Sequence, residues 1–380
     1  MLPYVPVPSP VIAAAIGIQP DFQQALARSE PDRLPGGSEL DWNVEPLQGW
    51  HIPLLDDPAF LPLQPLLQRA LLLGVPDRLI AAVSSRRCLA PRVHVAICRD
   101  QPGRPLLLGI IVTRRLNRSG SSWEVQHLIL AEDSLGAPGL PTEAALTGAL
   151  LREAILRGRG ACSWIATASS LDTPRLAALR QQGFQPLRRD ALWCWQAKGP
   201  APALGPGLEL LPLNRDTAPQ LWHLEQAAIP AQLRQILDRR SEDLLDHSGS
   251  RGWMLVDAIR REAVAGVRWL ADQPEGGQLI ELSVMPGREA LLGPPTALLL
   301  HRLSRPGQPL WLRVELSDRV RNLWLEQLGA TGHGEQVLMG RSLWRRQPSP
   351  PAREAARRLE AILEPFQPRR RTLPTPVGPR

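Results

Sequence analysis

The stretch LRQQGF (Leu179–Phe184) returns as LEQLGA (Leu325–Ala330), each closing a helix-like segment that follows a Trp-bearing strand. The echo runs along the chain in constant order. RVHVAICRD matches GWMLVDAIR, PLLLGIIVTR matches EAVAGVRWLA, WEVQHLILAED matches GQLIELSVMPG, LTGALLREAIL matches GPPTALLLHRL, CSWIATASSLD matches PLWLRVELSD, and WHIPLLDD pairs with LELLPLNRD. With Pro53 set against Pro212, Gly109 against Gly266, Leu128 against Leu282, Ala149 against Ala297 and Leu179 against Leu325, the separation shrinks steadily from 159 to 146 residues. Shorter loops in a second copy produce such a drift, so the chain reads as an internal duplication. Each copy is a strand, one or two helices, three antiparallel strands, a helix, a strand, a helix and terminal strands. That order calls for a twisted sheet with helices on both faces.

Two such units suit a chain of 380 residues. The expected layout is a Pro-rich N-terminal extension over 1–44, a first unit over 45–196, a linker over 197–206, a second unit over 207–345 and an Arg/Pro-rich tail over 346–380. Within the first unit GWHIPLLDD is expected as a strand running into a helix start, LQPLLQRALLLG as an amphipathic helix and FQPLRRDALWCWQ as a closing hairpin. The formal charge of +7 resides almost wholly in the tail, where Arg345–Arg380 holds nine Arg and three Glu. The rest is near neutral, and Lys198 is the sole Lys, so the Arg content is a coding bias rather than a phosphate-binding patch. Four Cys form no CxxC pair and sit among apolar residues, as buried free thiols in a reducing compartment do. No metal site is expected. PVIAAAIGI is too short to span a bilayer and no basic residue precedes it, which points to a cytoplasmic protein without a membrane. Hydrolase, metalloprotease, nucleotidase and dinucleotide-binding motifs do not occur in a strand-to-helix context.

The strand IELSVMP (Ile280–Pro286), the Gly in the strand before it and the helix-to-Gly endings LRQQGF and LEQLGA together resemble the GNAT (Gcn5-related N-acetyltransferase) superfamily, over about residues 46–196 and 207–345. The resemblance implies an α/β (α+β) fold of two tandem GNAT-like units, each a mixed, mostly antiparallel twisted sheet flanked by helices. It also implies acetyl-CoA as acyl donor, laid in a notch where the fourth strand parts from the fifth, with its pyrophosphate on the next helix N-terminus. Carried onto this sequence, the cofactor-binding positions are Ser283, Val284, Met285, Arg288 and Gly293 in the second unit and Leu130, Ala145 and Thr147 in the first. Both loops depart from the family pattern. TEAALT (Thr142–Thr147) lacks the first Gly and the basic residue, and ALLGPP (Ala290–Pro295) keeps Gly293 but ends in two prolines without N–H groups.

Acyl transfer to an amine calls for a base and for an acid at the leaving thiolate. The resemblance nominates Glu281 as a water-mediated base and offers His127 in the first unit, against the plain alternatives of a paired carboxylate and a structural histidine. The family's usual Tyr acid is replaced by Leu179 and Leu325, and the one Tyr in the chain is Tyr4. Trp164, Trp193, Trp195, Trp253, Trp269 and Trp311 either line an apolar pocket or fill the core. The expected function is an acyl-CoA-dependent N-acyltransferase with at most one half active and an acceptor the sequence leaves open; the alternative is a catalytically inactive binding or scaffold protein. PPAREAARRLEAILEPF (Pro350–Phe366) is expected as an amphipathic helix, and the basic end after it as a contact for a protein or RNA partner or as a solvated tail.

Overall fold

A computed structural model describes residues 41–55, 57–72, 91–99, 105–131, 139–158, 160–248, 251–273 and 276–342. The extension before residue 41 and the tail helix expected over Pro350–Phe366 lie outside these residues. One continuous sheet of twelve strands forms the molecule, in the spatial order β1-β2-β3-β4-β5-β12-β6-β11-β10-β9-β8-β7. In the first half, β1 (Trp42–Pro46), β2 (Arg92–Cys98), β3 (Leu106–Arg115) and β4 (Ser122–Leu130) run antiparallel, helix α1 (residues 64–72) preceding β2. Helix α2 (Glu143–Arg157) crosses to β5 (Ser163–Ser169), parallel to β4, and α3 (Thr173–Gln181) leads to β6 (Gln185–Trp195). The second half repeats this as β7 (Leu208–Pro212), α4 (Ala218–Ala228), α5 (Ala231–Leu237), α6 (Ser241–Ser248), β8 (Gly252–Asp257), β9 (Ala263–Asp272), β10 (Gln278–Val284), α7 (Pro294–Leu303), β11 (Leu310–Glu315), α8 (Arg319–Gln327) and β12 (Thr331–Ser342).

Local chemistry accounts for these elements. Leu107–Thr113 in β3 is buried without interruption because helices cover both sheet faces there. Thr142 caps α2 by accepting the Ala145 N–H at 3.3 Å, while Asp172 and Asp318 cap α3 and α8 by accepting the N–H of Arg175 and Arg321. Two expectations fail. GWHIPL is a 3-10 helix (Gly49–Leu54), because Pro53 cannot donate to a ladder, and the first strand is Trp42–Pro46, which begins inside the stretch read as extension and ends in the first unit. The closing hairpin is a single eleven-residue strand, β6. Of the described cysteines, Cys98 is buried, Cys194 half-buried and Cys162 exposed in the turn before β5, so the burial expected of all of them holds for Cys98.

The terminal strands are exchanged. β12, from the end of the second half, pairs with β5 of the first, and β6, from the end of the first half, pairs with β11 of the second. The two exchanged strands pair with each other, with Gln336 opposite Asp190, residues separated by the same 146 positions as Leu179 and Leu325. A local twofold axis therefore passes between them. Helix α5 closes one face at this axis, packing Leu233, Ile236 and Leu237 on Ile165 of β5 and Leu338 of β12. The turn after β3 holds the helices in place: Asn117 donates to the Asp238 carbonyl at 2.9 Å, Ser121 to its carboxylate at 2.6 Å, and Arg118 pairs with Asp246. Among the described residues no helix is long and apolar enough to cross a membrane.

Because each half lacks the strand that covers its own inner edge, residues 41–206 and 207–345 expressed separately will aggregate or remain without cooperative unfolding transitions. Co-expressed, they will elute as one stoichiometric complex. Size-exclusion chromatography with thermal denaturation checks both outcomes.

Candidate functional site

The parallel ladders that join β4 to β5 and β10 to β11 are short. The first runs from Ser122 opposite Ser163 to Val125 opposite Ala166, the second from Gln278 opposite Leu310 to Ile280 opposite Leu312. Beyond them, Gln126–Leu130 and Glu281–Val284 part from their parallel neighbours. A bulge sits at each parting, between Val112 and Thr113 of β3 against β4, and between Leu279 and Ile280 of β10 against β9. The extra residue is Gln126 of the parting strand β4 in the first half and Leu270 of the neighbouring β9 in the second, and in both it increases the local twist. Gly109 and Gly266 sit in the flanking strands where a side chain has no room: an added Cβ would lie 2.6 Å from Leu130 Cδ2 in one and 2.4 Å from Leu221 Cδ1 in the other.

Each notch is crossed by an arginine. Arg175 of α3 donates to the Leu128 carbonyl at 2.7 Å, and Arg321 of α8 donates to the Leu282 carbonyl at 3.2 Å. Both are steadied by the capping aspartates, Asp172 at 3.2 Å and Asp318 at 3.3 Å. These residues were not foreseen, although the signal was present: Asp-x-x-Arg opens the helix in each copy at the same spacing.

His127 and Glu281 immediately precede the two bridged leucines, in separate notches. Glu281 accepts from Arg268, which also holds Glu225, and Arg239 lies 3.5 Å from the Glu281 carboxylate. Burial pushes the Glu281 carboxyl up, but the guanidinium groups of Arg268 and Arg239 outweigh it and hold the pKa at about 2. The expectation of a general base is therefore revised. A carboxylate so far below neutrality has too little proton affinity to take a proton from an ammonium ion. Glu225, deeper in the core, is displaced upward by burial and by Glu281, against Arg268. His127 is pushed down by burial, which outweighs the carboxylate of Glu124, so it is a neutral imidazole at pH 7.

The remaining positions scatter. Ser283 and Val284 are buried on the open edge of β10, Met285 donates its N–H to the Val264 carbonyl at 2.9 Å, and Arg288 lies 3.4 Å from the Asp257 carboxylate. Gly293 is the N-cap of α7, with open space where a side chain would stand. Since Pro294 and Pro295 follow it, Thr296 supplies the only main-chain N–H among the first three helical positions. Leu130 ends β4 packed over Gly109, and Ala145 is exposed at the start of α2 with its N–H taken by Thr142. Thr147 is buried in the second turn, facing the core, and presents nothing at the helix N-terminus.

A cavity of about 110 Å³ opens beside the β10 notch. Its sheet side is formed by Arg114, Glu124, Arg188, Arg313 and the run Ile280–Ser283, and its helix side by Ile229, Leu233, Leu237, Arg239 and Arg321. None of the tryptophans lines it; Trp164, Trp195 and Trp311 are packed in the core. The structure thus brings Glu281 and Ser283 together with five arginines and leaves His127 outside the lining.

No protein-family model matches this sequence, and no curated protein matches it. Solved structures similar to it include a GCN5-related N-acetyltransferase from Sphaerobacter thermophilus, 14% identical, with a TM-score of 0.45 over 80% of this chain and 96% of the other. A tandem GNAT protein from the clavulanic acid biosynthesis pathway is 14% identical, with a TM-score of 0.46 over 81% of this chain and 100% of the other. The architecture described above is two tandem copies of one mixed α/β unit within a single sheet.

Two outcomes check the electrostatics. Glu225→Ala will lower the free energy of unfolding by about 1–3 kcal/mol in urea titration, because Arg268, 2% exposed, loses the carboxylate on its Nε and keeps that of Glu281. The Glu281 contribution is complete above its ordinary pKa of 4.5 and is lost as pH falls toward about 2. The stability difference between the native protein and Glu281→Gln will therefore narrow over that window.

Proposed function

We propose that the protein is an acyl-CoA-dependent N-acyltransferase whose working half is the second, with acetyl-CoA as donor. The observation that carries this reading is the open edge Glu281–Val284, which leaves its parallel ladder beside a cavity and lies ahead of the α7 N-terminus. An extended amide-bearing arm matches such an edge, because unpaired main-chain groups of a strand accept another strand-like partner. Gly293 leaves space at the helix start, and the Thr296 N–H with the helix dipole supplies the anion-binding end. The first half is the weaker candidate, since Arg175 holds its notch carbonyl at the shorter distance and Thr147 is buried.

In the reaction the amine nitrogen attacks the thioester carbonyl, the C–S bond breaks, and the proton lost by the amine ends on the departing thiolate. With Glu281 held as an ion pair and Leu325 where the family has its Tyr, that proton travels through water. The arginines around the cavity assist by disfavouring a second cation, so the acceptor sits there as the neutral amine that attacks. Catalysis then rests on holding two reactants together, which by itself supplies large accelerations.

A second reading, a binding protein that no longer turns over, is favoured by Arg321 on the Leu282 carbonyl and by Pro294 and Pro295. Calorimetric titration separates the two. Acetyl-CoA will bind the native protein and Ala145→Trp alike, and Gly293→Trp will weaken it at least tenfold. With an accepted amine, the logarithm of the rate will rise with pH up to the pKa of the amine, and Glu281→Gln will leave that slope unchanged. Binding without turnover of any amine establishes the second reading; no binding at millimolar acetyl-CoA excludes the first.

A further inference from the structure

The charges around the central cavity do not pair off. Arg114 is matched by Glu124 at 2.7 Å, Arg188 by Asp190 at 2.7 Å, and Arg268 by Glu225 and Glu281. Arg321 has Asp318 and the Leu282 carbonyl. Two guanidinium groups are held more loosely. Arg313 donates to the neutral Thr167 hydroxyl at 2.8 Å and forms no ion pair among the described residues. Arg239 lies 3.5 Å from Glu281 and 3.9 Å from Glu225, too far for a hydrogen bond, and its buried Nε and Nη1 have no hydrogen-bond partner. Its side chain is 11% exposed, and its main chain is fixed by Trp222, whose Nε1 donates to the Arg239 carbonyl at 2.9 Å.

A buried guanidinium with unused donors is costly unless an anion completes it. Arg239 comes from the helix side of the cavity and Arg313 from the sheet side, so they flank the same space. Both also act on the carboxylate of Glu124, which marks their proximity. A cavity of about 110 Å³ holds roughly four water-sized groups, at about 30 Å³ each. That admits a small molecule and excludes a folded peptide. Planar guanidinium forks recognise carboxylate and phosphate oxygens.

We propose that this cavity is a binding site for a small oxyanion, a carboxylate or phosphate held between Arg239 and Arg313. The inference deepens the transferase reading and, as a statement about substrate, rests on it: the acceptor is a small amine that carries such an anionic group, anchored beside the open edge of β10. The duplication did not provide this site twice, for Arg313 and Thr167 are equivalent positions of the two copies, 146 residues apart, that meet at the local twofold axis. One copy supplies the cation and the other the hydroxyl that orients it.

The test needs no acyl donor. Citrate, malonate and inorganic phosphate are titrated into the full chain at ionic strength held constant with sodium chloride, with melting temperature and calorimetric heat as readouts. At least one anion will raise the melting temperature saturably, and the comparison of the two carboxylates with phosphate will identify the oxyanion class. Arg239→Met and Arg313→Met will each weaken that anion at least tenfold, while the exposed-site control Arg215→Met will not. Each variant is compared with its own anion-free form, because Arg239→Met also removes one of the guanidinium groups that hold Glu281. If either variant fails to fold, Arg313→Lys, which keeps the charge and loses the fork, will show the reduced affinity instead. No saturable response to any of the three anions, or undiminished affinity in the arginine variants, overturns the proposal. Anion binding without acetyl-CoA binding would retain the site and remove the transferase reading; the reverse would remove the site alone.

Discussion

The exchange of terminal strands at the centre of the sheet is the constraint on which everything else rests. β12 and β6 each fill the gap beside the other half's inner strand and then pair with each other, so twelve strands form one ladder network. Exposed inner edges would otherwise present rows of unpaired main-chain groups, which proteins avoid or cover. The exchange also brings the inner strands of the two copies near a common axis, and α5 closes one face over them. A cavity lined from both halves follows from that geometry.

The second constraint is electrostatic. Seven ionisable side chains from β9, β10, β11, β6 and the segments around α4, α5 and α8 converge here: Glu225, Glu281, Arg268, Arg239, Arg188, Arg313 and Arg321. Pairing settles the roles of several of them. Glu281 lies where a base would be useful, yet its proximity to Arg268 and Arg239 makes it a permanent anion that anchors cations. The same arrangement leaves Arg239 with unused donors and Arg313 without an ion pair among the described residues, and a site that looks degenerate for base catalysis is well suited to hold an oxyanion. Notch and cavity together place two binding functions side by side, one made of main chain and one of arginine.

How much of this was legible in the sequence differs by element. The strands β3, β4 and β10 and the helices that follow them were readable, because hydrophobic pattern is local. The strand expected at GWHIPLLDD was misread because apolar content outweighed Pro53, whose missing N–H decided the conformation. Of the site positions, Glu281 and Gly293 were nominated by the family resemblance. The catalytic role of Glu281 did not follow, since a pKa is set by neighbours distant in sequence: Arg268 is close along the chain, Arg239 is not. Arg175 and Arg321 show a signal overlooked, a repeated Asp-x-x-Arg whose arginine crosses the notch.

The sequence by itself determined that the chain is duplicated, that each copy alternates strands and helices in a mixed order, and that both loops ahead of the crossing helices depart from a standard anion-binding turn. Those properties are written in local pattern, spacing and the absence of N–H groups at Pro294 and Pro295. Only the tertiary structure decided that the last strands change partners, because β6 and β12 have equivalent patterns and either sheet edge would accept either strand. Only it decided that Arg239 and Arg313 share a cavity. Charge pairing depends on distances of a few ångströms between segments far apart in the chain, and nothing in the order of residues encodes which guanidinium keeps donors without a hydrogen-bond partner.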